Sequence, residues 1–394
     1  MSKLDVIDTH AYWQHPIFPG TAWDPSDWYV VNEPMVNHPS DGTIPWLALK
    51  RVNGKPHIVS EYNHPAPNMY DAETGLTLAI YAALQDWDGI FLFDYGSRDN
   101  WDSKRIRGYF DIDQHPVKMA TMIPTYMLFV DGDVNPATEL VTARLDTQGE
   151  KELISSGKAR AWNLPDGGYL GIHPATPLIH RTALIVEGFP EPSQSLSPQD
   201  VSTTGPVYEA DNNEVAWDVS DRNRGILVVN SSRSIWVVGF SGGRSYDLTS
   251  VVVEPGDTLL HGWSVVTLTV MEGESFEDWN KLLLIAAGYT TNDGMMIRQY
   301  ESGKAMAVAS TDLKEVERYN GGITCSNNWG EAVTLVEGVP ATLKIKTSKD
   351  IEAWTLDNTG KRVGQVPISV EGDYRIFSVG PEYRTIWYEI AVKE

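Results

Sequence analysis

Over residues 1–133, short apolar strands alternate with helical segments, and this alternation limits the fold more than any other feature of the chain. Successive strands joined by helices run parallel, because a helical crossover returns the chain to the same end of the sheet. The third strand, GIFLFDYG, is a continuous apolar run, which is typical of a strand buried on both faces. Pro124 lies within the last helix and is expected to kink it. The predicted elements are, in chain order, a strand at 4–13, a helix at 42–53, a strand at 57–63, a helix at 71–87, a strand at 89–96 and a helix at 116–130.

From residue 134 onward the helical periodicity gives way to many short strand-like segments. GILVVN and SIWVVGF, for example, are separated by turn-rich stretches such as SGGRS and EPGDT, and this composition is typical of a β-sandwich. The end of the chain has the pattern of a small immunoglobulin-like sandwich. The sequence therefore predicts an α/β plus all-β fold divided into segments 1–133, 134–325 and 326–394.

The charge of the chain excludes some classes of partner. With 31 basic and 53 acidic residues, the formal net charge is −22, which argues against binding to nucleic-acid phosphates and to anionic membrane surfaces. No run of about 18 apolar residues predicts a membrane span. The start, MSKLDVIDTH, lacks the basic residues and long apolar run of a signal peptide.

The sequence predicts neither a metal nor a cofactor. His15, His38 and His64 are scattered, without the spacing of zinc ligands, and HExxH is absent. No GxGxxG or GxxxxGK[ST] motif supports a nucleotide, and the absence of GxSxG weakens an esterase interpretation. The single cysteine, Cys325, matches no thiol-enzyme signature and is interpreted as structural.

Polar and aromatic side chains follow all three predicted parallel strands at their carboxyl ends. Active sites in parallel β/α arrays form at that edge, so these groups are expected to meet at one rim. With Trp101 from a loop at the same rim, the predicted substrate-binding residues are His10, Tyr12, Trp13, Tyr62, Asn63, His64, Asp94, Tyr95 and Trp101. Glu61, at the tip of the middle strand, is the predicted catalytic carboxylate.

Three segments carry a resemblance to a known family. HAYWQHPIFPGTAWDPSDW, KPHIVSEYNHPAPN and WDGIFLFDYG resemble strands six, seven and eight of a clan A glycoside hydrolase barrel, in particular cellulase-like family 5 and its bacterial relatives. NEVAWDVSDRNRGILVVN is similar to the C-terminal β domains of those enzymes. The resemblance implies a partial (β/α) TIM-type barrel of about three strand–helix units, followed by β-sandwich domains. It also implies extracellular action, Glu61 as nucleophile, and His10 and Tyr12 beside it.

Glu61 is chemically suited to that role, because a carboxylate under the anomeric carbon stabilises an oxocarbenium-like transition state and bonds to it. The structural alternative is a surface glutamate paired with Arg or Lys. The acid/base has several candidate sources. Glu33 lies in Asn32-Glu33-Pro34, the pattern of the family's acid/base, but only 28 residues before Glu61. A chance Asn-Glu-Pro in a loop is the alternative, and Asp94 or a partner subunit are other possible sources.

Three parallel strands cannot close a barrel, so their edges need cover, from other copies of the chain or from the β domains folding back. The tryptophans of the rim loops, Trp13, Trp23, Trp28 and Trp101, are either sugar platforms or cover for the core. The predicted function is a retaining glycoside hydrolase acting on a β-linked polysaccharide or oligosaccharide. The alternative is a non-catalytic carbohydrate-binding protein, or a relic that lacks the acid/base.

Overall fold

The computed structural model describes residues 4–97, 101–158, 166–301, 304–305 and 322–393. Within these residues the fold is mixed, with many strands in large antiparallel sheets and few helices. No helix of the described part is both long and apolar enough to cross a membrane.

The first part of the chain forms a small parallel sheet covered by helices. Strands β1, β3 and β4 are neighbours in that order and both pairings are parallel, as the sequence predicted. The short strand β2 pairs elsewhere, with a strand of the β-rich part. The elements of this part are β1 (Ile7–Tyr12), β2 (Val30–Val31), α1 (Thr43–Ala48), β3 (His57–Asn63), α2 (Thr74–Leu84), β4 (Gly89–Leu92) and α3 (Pro116–Phe129).

Several predicted elements are shorter in the structure. The helix predicted over 42–53 is only the six residues of α1, and the helix predicted over 71–87 is a 3-10 turn, Asp71–Glu73, followed by α2. The strand predicted over 89–96 ends at Leu92. Helix α3 is assigned as a single helix that includes Pro124.

Helix α2 is buried on every side, because it lies between the parallel sheet and the β-rich part. Leu78 and Ala82 pack with Val59 of β3, whereas Leu76 and Ile80 belong to a core shared with the β-rich strands. All eleven of its residues are buried. A helix that is apolar all round is stable only in such a position.

The second face of the parallel sheet is open, and we call it the open face. It carries Asp8, His10, Ser60 and Phe91, whereas Ile7 on the opposite face is buried. Phe91 of β4 is 57% exposed, so the expectation of a strand buried on both faces is wrong. The continuous apolar run in β4 had suggested cover that the described residues do not provide.

The next elements are a second parallel pair rather than part of a sandwich. Strand β5 (Leu140–Leu145), helix α4 (Thr147–Ser155) and strand β6 (Arg181–Val186) form a strand–helix–strand unit in which β5 and β6 are parallel. Leu184 of β6 bridges Val52, just before β3. The sequence had assigned both strands to a β-sandwich, because apolar periodicity does not distinguish parallel from antiparallel pairing.

The β-rich part consists mainly of two antiparallel sheets that enclose an apolar core. One has ten strands, in the order β21-β20-β24-β14-β13-β10-β9-β8-β7, with β18 also paired to β14. The other has five, in the order β11-β12-β19-β23-β22. The strands are β7 (Val207–Glu209), β8 (Val215–Asp218), β9 (Ile226–Asn230), β10 (Ser234–Phe240), β11 (Tyr246–Leu248), β12 (Val251–Pro255), β13 (Trp263–Ser275), β14 (Asp278–Asp293), β15 (Arg298–Glu301), β16 (Lys304–Ala305), β17 (Gly322–Thr324), β18 (Glu331–Gly338), β19 (Ala341–Lys346), β20 (Ile351–Leu356), β21 (Arg362–Val366), β22 (Ser369–Glu371), β23 (Tyr374–Val379) and β24 (Trp387–Val392).

Both large sheets contain strands from either side of residue 326. β12 pairs with β19, and β14 pairs with β24. The predicted segments 134–325 and 326–394 therefore contribute to the same sheets and the same core. A smaller sheet in the order β16-β15-β17-β2 ties the β-rich part to the loop that follows β1.

Candidate active site

Glu61 lies near the carboxyl end of the central strand, at a bulge. Thr9 of β1 is opposite Val59, but the next residue, His10, is opposite Glu61, so Ser60 is the extra residue of β3. A bulge shifts the alternation of side chains along a strand. Glu61 as well as Ser60 is therefore partly exposed, although they are consecutive.

Tyr12 holds the Glu61 carboxylate directly. Its hydroxyl donates a hydrogen bond of 2.6 Å to Glu61 Oε2. Burial, the hydrogen bond to Glu61 and the nearby charges of Glu61 and Asp94 raise the pKa of Tyr12 far above its ordinary value. The hydroxyl consequently keeps its proton, and it remains a donor to a negatively charged partner.

His10 lies on the other side of Glu61 and is fixed by a polar cluster on the open face. His10 Nδ1 is 3.8 Å from Glu61 Oε2, and His10 Nε2 is 3.1 Å from Asp8 Oδ2 and 2.9 Å from Ser60 Oγ. Ser60 Oγ also donates to Asp8 Oδ2 at 2.8 Å. The orientation of the imidazole is thus set by its contacts with Asp8 and Ser60.

Three predicted substrate-binding residues are inside the protein instead. Tyr62, Asn63 and His64 have no exposed surface. Tyr62 Oη is 3.0 Å from His64 Nε2, and the Asn63 amide donates to the carbonyls of Phe93 and Phe110. This corrects the sequence-based expectation that all three bind substrate: Tyr62 and His64 turn into the core past the bulge, and Asn63 is covered by the chain around Phe93 and Phe110.

A buried ionic cluster supports this part of β3. Lys118 of α3 donates to Asn63 Oδ1 at 2.8 Å and to the His64 carbonyl, and its ammonium is 3.5 Å from Asp71. Asp71 Oδ2 is also 2.9 Å from His115 Nε2. Burial and the charge of Lys118 lower the pKa of both His64 and His115. The cluster fixes the end of β3 against α3.

Glu73, which the sequence analysis did not single out, holds the loop that contains Asn32-Glu33-Pro34. Its carboxylate accepts a hydrogen bond of 2.5 Å from the Met35 backbone N–H, directly after that motif. Glu73 is fully buried, and burial raises its pKa to about 8. It lies 38 positions from Met35 along the chain, so no local sequence signal marks the contact.

Glu33 is held apart from the contacts of Glu61. The Glu33 carboxylate is 3.4 Å from His38 Nε2, and its backbone carbonyl accepts a hydrogen bond from the Trp13 ring nitrogen at 2.8 Å. Glu61 instead contacts Tyr12 and His10. Trp13 is itself buried, and its ring nitrogen holds the Glu33 loop.

Asp94 follows β4 and is close enough to Tyr12 for its charge to raise the pKa of that residue. Partial burial and the charges of Asp111 and Asp113 raise the pKa of Asp94. It therefore retains a proton to higher pH than an ordinary aspartate, which is the property of a proton donor.

Aromatic rings surround this edge, and only some of them are exposed. Tyr95 and Trp101 are exposed and stack with ring centroids 6.0 Å apart. Trp23 is also exposed, whereas Trp28 is fully buried against Trp329. Of the four rim tryptophans, Trp23 and Trp101 thus present surface to a ligand.

Within the residues that the structure describes, no group of three or more His, Cys, Asp or Glu side chains is arranged to hold a metal ion. Comparison with protein-family models, with curated proteins and with solved structures finds no match to this chain.

Proposed function

We propose that this protein is a retaining glycoside hydrolase that acts on a β-linked polysaccharide or oligosaccharide, with Glu61 as the nucleophile. The observation that carries the proposal is a partly exposed carboxylate at the end of a central parallel strand, held by Tyr12 at 2.6 Å. No lysine or arginine of the described chain lies within ion-pair distance of Glu61, which disfavours an ordinary surface ion pair. Active sites of parallel β/α arrays form at this edge.

In the proposed reaction, Glu61 attacks the anomeric carbon while an acid protonates the departing glycosidic oxygen. The bond from the sugar to the leaving group breaks and a glycosyl–Glu61 ester forms. Water, deprotonated by the same residue that acted as acid, then attacks the anomeric carbon and releases Glu61 and the sugar. Tyr12 and His10 hold the carboxylate during both steps.

Asp94 fits the acid/base role better than Glu33 does. Asp94 is close enough to Tyr12, which holds Glu61, to influence the pKa of that tyrosine. The raised pKa of Asp94 favours the protonated form that an acid needs. Glu33 faces His38 and shares no hydrogen-bond or ion-pair partner with Glu61. Asp94 is therefore the proposed acid/base, and Glu33 is the second candidate.

The proposal treats the three-stranded sheet as a partial (β/α) barrel whose β4 edge is covered by other copies of this chain, while the outer edge of β1 stays open. Phe91 on the open face and the unpaired edge of β4 are the surfaces through which copies of this chain are proposed to associate. A single monomeric species over a range of protein concentrations, measured by light scattering, contradicts this part of the proposal.

Turnover of aryl β-glucosides and β-xylosides tests the activity, together with hydrolysis of a natural β-linked polysaccharide. We expect Glu61→Gln to lower kcat at least about 1000-fold, as for loss of an activated nucleophile, whereas the exposed control Glu277→Gln has no effect. Asp94→Asn is expected to impair the polysaccharide more than an activated aryl glycoside, because a good leaving group needs little protonation.

A 2-deoxy-2-fluoro glycosyl fluoride provides a second readout, since it traps the glycosyl–enzyme of a retaining hydrolase. Peptide mass spectrometry is expected to find the added sugar on Glu61. Undiminished activity of Glu61→Gln, or a label on another residue, refutes the assignment.

A non-catalytic carbohydrate-binding protein is the second candidate function. The observation that favours it is the separation of the contacts of Glu33 from those of Glu61, which leaves the family-like Asn-Glu-Pro glutamate facing His38. Binding of β-linked oligosaccharides without any turnover, by parent and Glu61→Gln alike, supports this candidate against the hydrolase.

A further inference from the structure

A cleft of about 740 Å³ runs along the side of β1 that faces away from β3. It is lined by β1, by the start of α1 and by the segment around the 3-10 helix Gly167–Leu170. This volume is in the range of pockets that bind small organic molecules or several sugar units. None of the contacts described for Glu61 and Tyr12 explains what the cleft holds.

Main-chain groups of β1 face this cleft. The N–H groups of Ile7 and Trp13 both bond toward the β3 side, to the carbonyls of Pro56 and Asn63. Because the extra residue of the bulge belongs to β3, β1 keeps its own alternation, and the peptide groups of His10 and Tyr12 point the other way. They offer donors and acceptors along the edge of the cleft.

Two aromatic side chains form walls of the cleft. Trp46 of α1 is 43% exposed and Tyr169 is 48% exposed. The buried ammonium of Lys50 lies 3.4 Å from the centroid of the Trp46 ring and donates to the Trp46 carbonyl. Trp46 is therefore held in place while much of its surface stays accessible.

The polar groups of the cleft favour a neutral ligand. Asp41 and Asp166 are carboxylates in its lining, and both can accept hydrogen bonds from hydroxyls. Lys158, whose ammonium lies 5.7 Å from the centroid of the Tyr169 ring, offsets part of this negative charge. The two carboxylates, in a chain of net charge −22, still disfavour an anionic ligand. Aromatic walls with scattered hydrogen-bonding groups match a pyranose chain, which has apolar ring faces and hydroxylated edges.

The cleft and the candidate active site share two residues. His10 and Tyr12 line the cleft, and both contact the Glu61 carboxylate. A glycan that occupies the cleft is consequently separated from Glu61 by a single residue, His10 or Tyr12.

We infer that this cleft binds an uncharged stretch of β-linked glycan next to the sugar unit at Glu61, with Trp46 and Tyr169 stacking on pyranose rings. The inference rests on the proposed function, which it extends from a single carboxylate to an extended substrate site. It assigns to Trp46 and Tyr169 a role in binding several sugar units, separate from the bond-breaking step.

Binding is tested in the full chain with Glu61→Gln, so that turnover does not interfere. Isothermal titration with cellohexaose, xylohexaose and mannohexaose identifies the best probe, and a carboxylated form of that hexasaccharide tests the charge argument. We expect Trp46→Ala and Tyr169→Ala each to lower the affinity for the hexasaccharide about 3- to 10-fold. Trp46→Phe is expected to lower this affinity less. Tyr126→Ala, at a ring that is 52% exposed on α3, is the matched control and is expected to bind like the parent.

Circular dichroism of each variant verifies the fold. If Trp46→Ala disturbs the packing of buried Lys50, the affinity of Tyr169→Ala still tests the inference. Equal affinities for Trp46→Ala, Tyr169→Ala and Tyr126→Ala overturn the inference. Tighter binding of the carboxylated probe than of the neutral hexasaccharide also overturns the inference. A hexasaccharide affinity that falls as the protein self-associates overturns it as well, because that result places another copy of the protein in the cleft.

The two proposals fail differently. Hexasaccharide binding that depends on Trp46, without any turnover, refutes the proposed hydrolase activity and supports the proposed glycan site in the cleft. Glu61-dependent turnover of an aryl glycoside, with a hexasaccharide affinity that Trp46→Ala and Tyr169→Ala leave unchanged, supports the hydrolase activity and refutes the glycan site in the cleft.

Discussion

Tyr12 is the side chain that fixes where the Glu61 charge lies. Its 2.6 Å hydrogen bond is to an ionised acceptor, and bonds of this kind contribute about 1.5–3 kcal/mol. Tyr12→Phe removes the donor and keeps the ring that packs beside Phe110. We expect kcat/KM on a β-linked substrate to fall about 10- to 100-fold, with Tyr126→Phe unchanged. A variant as active as the parent means that Tyr12 does not position the nucleophile.

Glu73 links stability to pH. Its pKa in the folded protein is raised from 4.5 to about 8 by burial, so the native state holds a proton that the unfolded state releases. The free energy of unfolding therefore falls as pH rises from about 4.5 to about 8 and is not restored above that range. Glu73→Gln keeps an acceptor for the Met35 N–H but cannot ionise.

We expect the loss of stability between pH 5 and pH 8 to be smaller in Glu73→Gln than in the parent by at least about 2 kcal/mol. Urea unfolding at each pH measures this difference, and exposed Glu277→Gln serves as control. Parallel pH profiles for Glu73→Gln and the parent show that Glu73 is ionised in the folded state.

At the residue scale the sequence predicted that Glu61, Tyr12 and His10 lie at one sheet edge, because strand ends mark that edge, and in the structure Tyr12 and His10 both contact Glu61. It did not predict that Tyr62 and His64 turn inward, since the bulge at Ser60 shifts the alternation and has no clear signature in HIVSEYN. Nor did it predict that the chain around Phe93 and Phe110 covers Asn63. Nor did it find Glu73, because a buried carboxylate that binds a distant backbone N–H has no local motif.

At the scale of elements, helices α2 and α3 approach closely at a glycine. A Cβ built on Gly75 lies 2.9 Å from Thr125 Oγ1, and both residues are buried. Gly75→Val therefore needs the Thr125 side chain or one of the helices to shift, and overpacking of this kind costs about 1–3 kcal/mol. We expect urea unfolding to show that loss, and Thr125→Ala to reduce it when combined with Gly75→Val. A Gly75→Val variant as stable as the parent excludes tight packing at this crossing.

Elements with strong local signals were predicted best. The order of strands and helices up to residue 130 follows from apolar runs and from Gly and Pro positions. Element ends were less accurate: α1 stops at Ala48 although apolar residues continue, because the chain then turns to meet β6 at Val52. The parallel pairing of β5 with β6 depends on the same tertiary contact, which no local pattern contains.

At the scale of the whole molecule, the pairing of distant strands decides the architecture. β12 pairs with β19 although about 90 residues separate them, and β7 shares a sheet with β20. Apolar alternation predicts that such strands exist but not which strands they pair with. The sequence therefore predicted a domain boundary at residue 326, although both large sheets continue across it.

The parallel sheet and the β-rich part also share one core, from which cooperative unfolding follows. Trp217 of β8 is fully buried, donates to the Val36 carbonyl at 2.7 Å and packs against Tyr81 of α2. A second link is buried Asp133, whose carboxylate accepts from Arg233 Nε at 2.7 Å. Trp217→Ala is expected to lower the free energy of unfolding by about 3–5 kcal/mol.

Because Trp217 contacts both parts, the variant and the parent are each expected to unfold in a single step. Far-UV circular dichroism, which reports the sheets and helices together, and near-UV circular dichroism, which reports buried tryptophans, should give the same midpoint. The exposed control Val363→Ala should leave that midpoint unchanged. Two separated transitions in the parent mean that the parallel sheet is stable without the β-rich strands, in which case Trp217→Ala lowers the midpoint of only one of them.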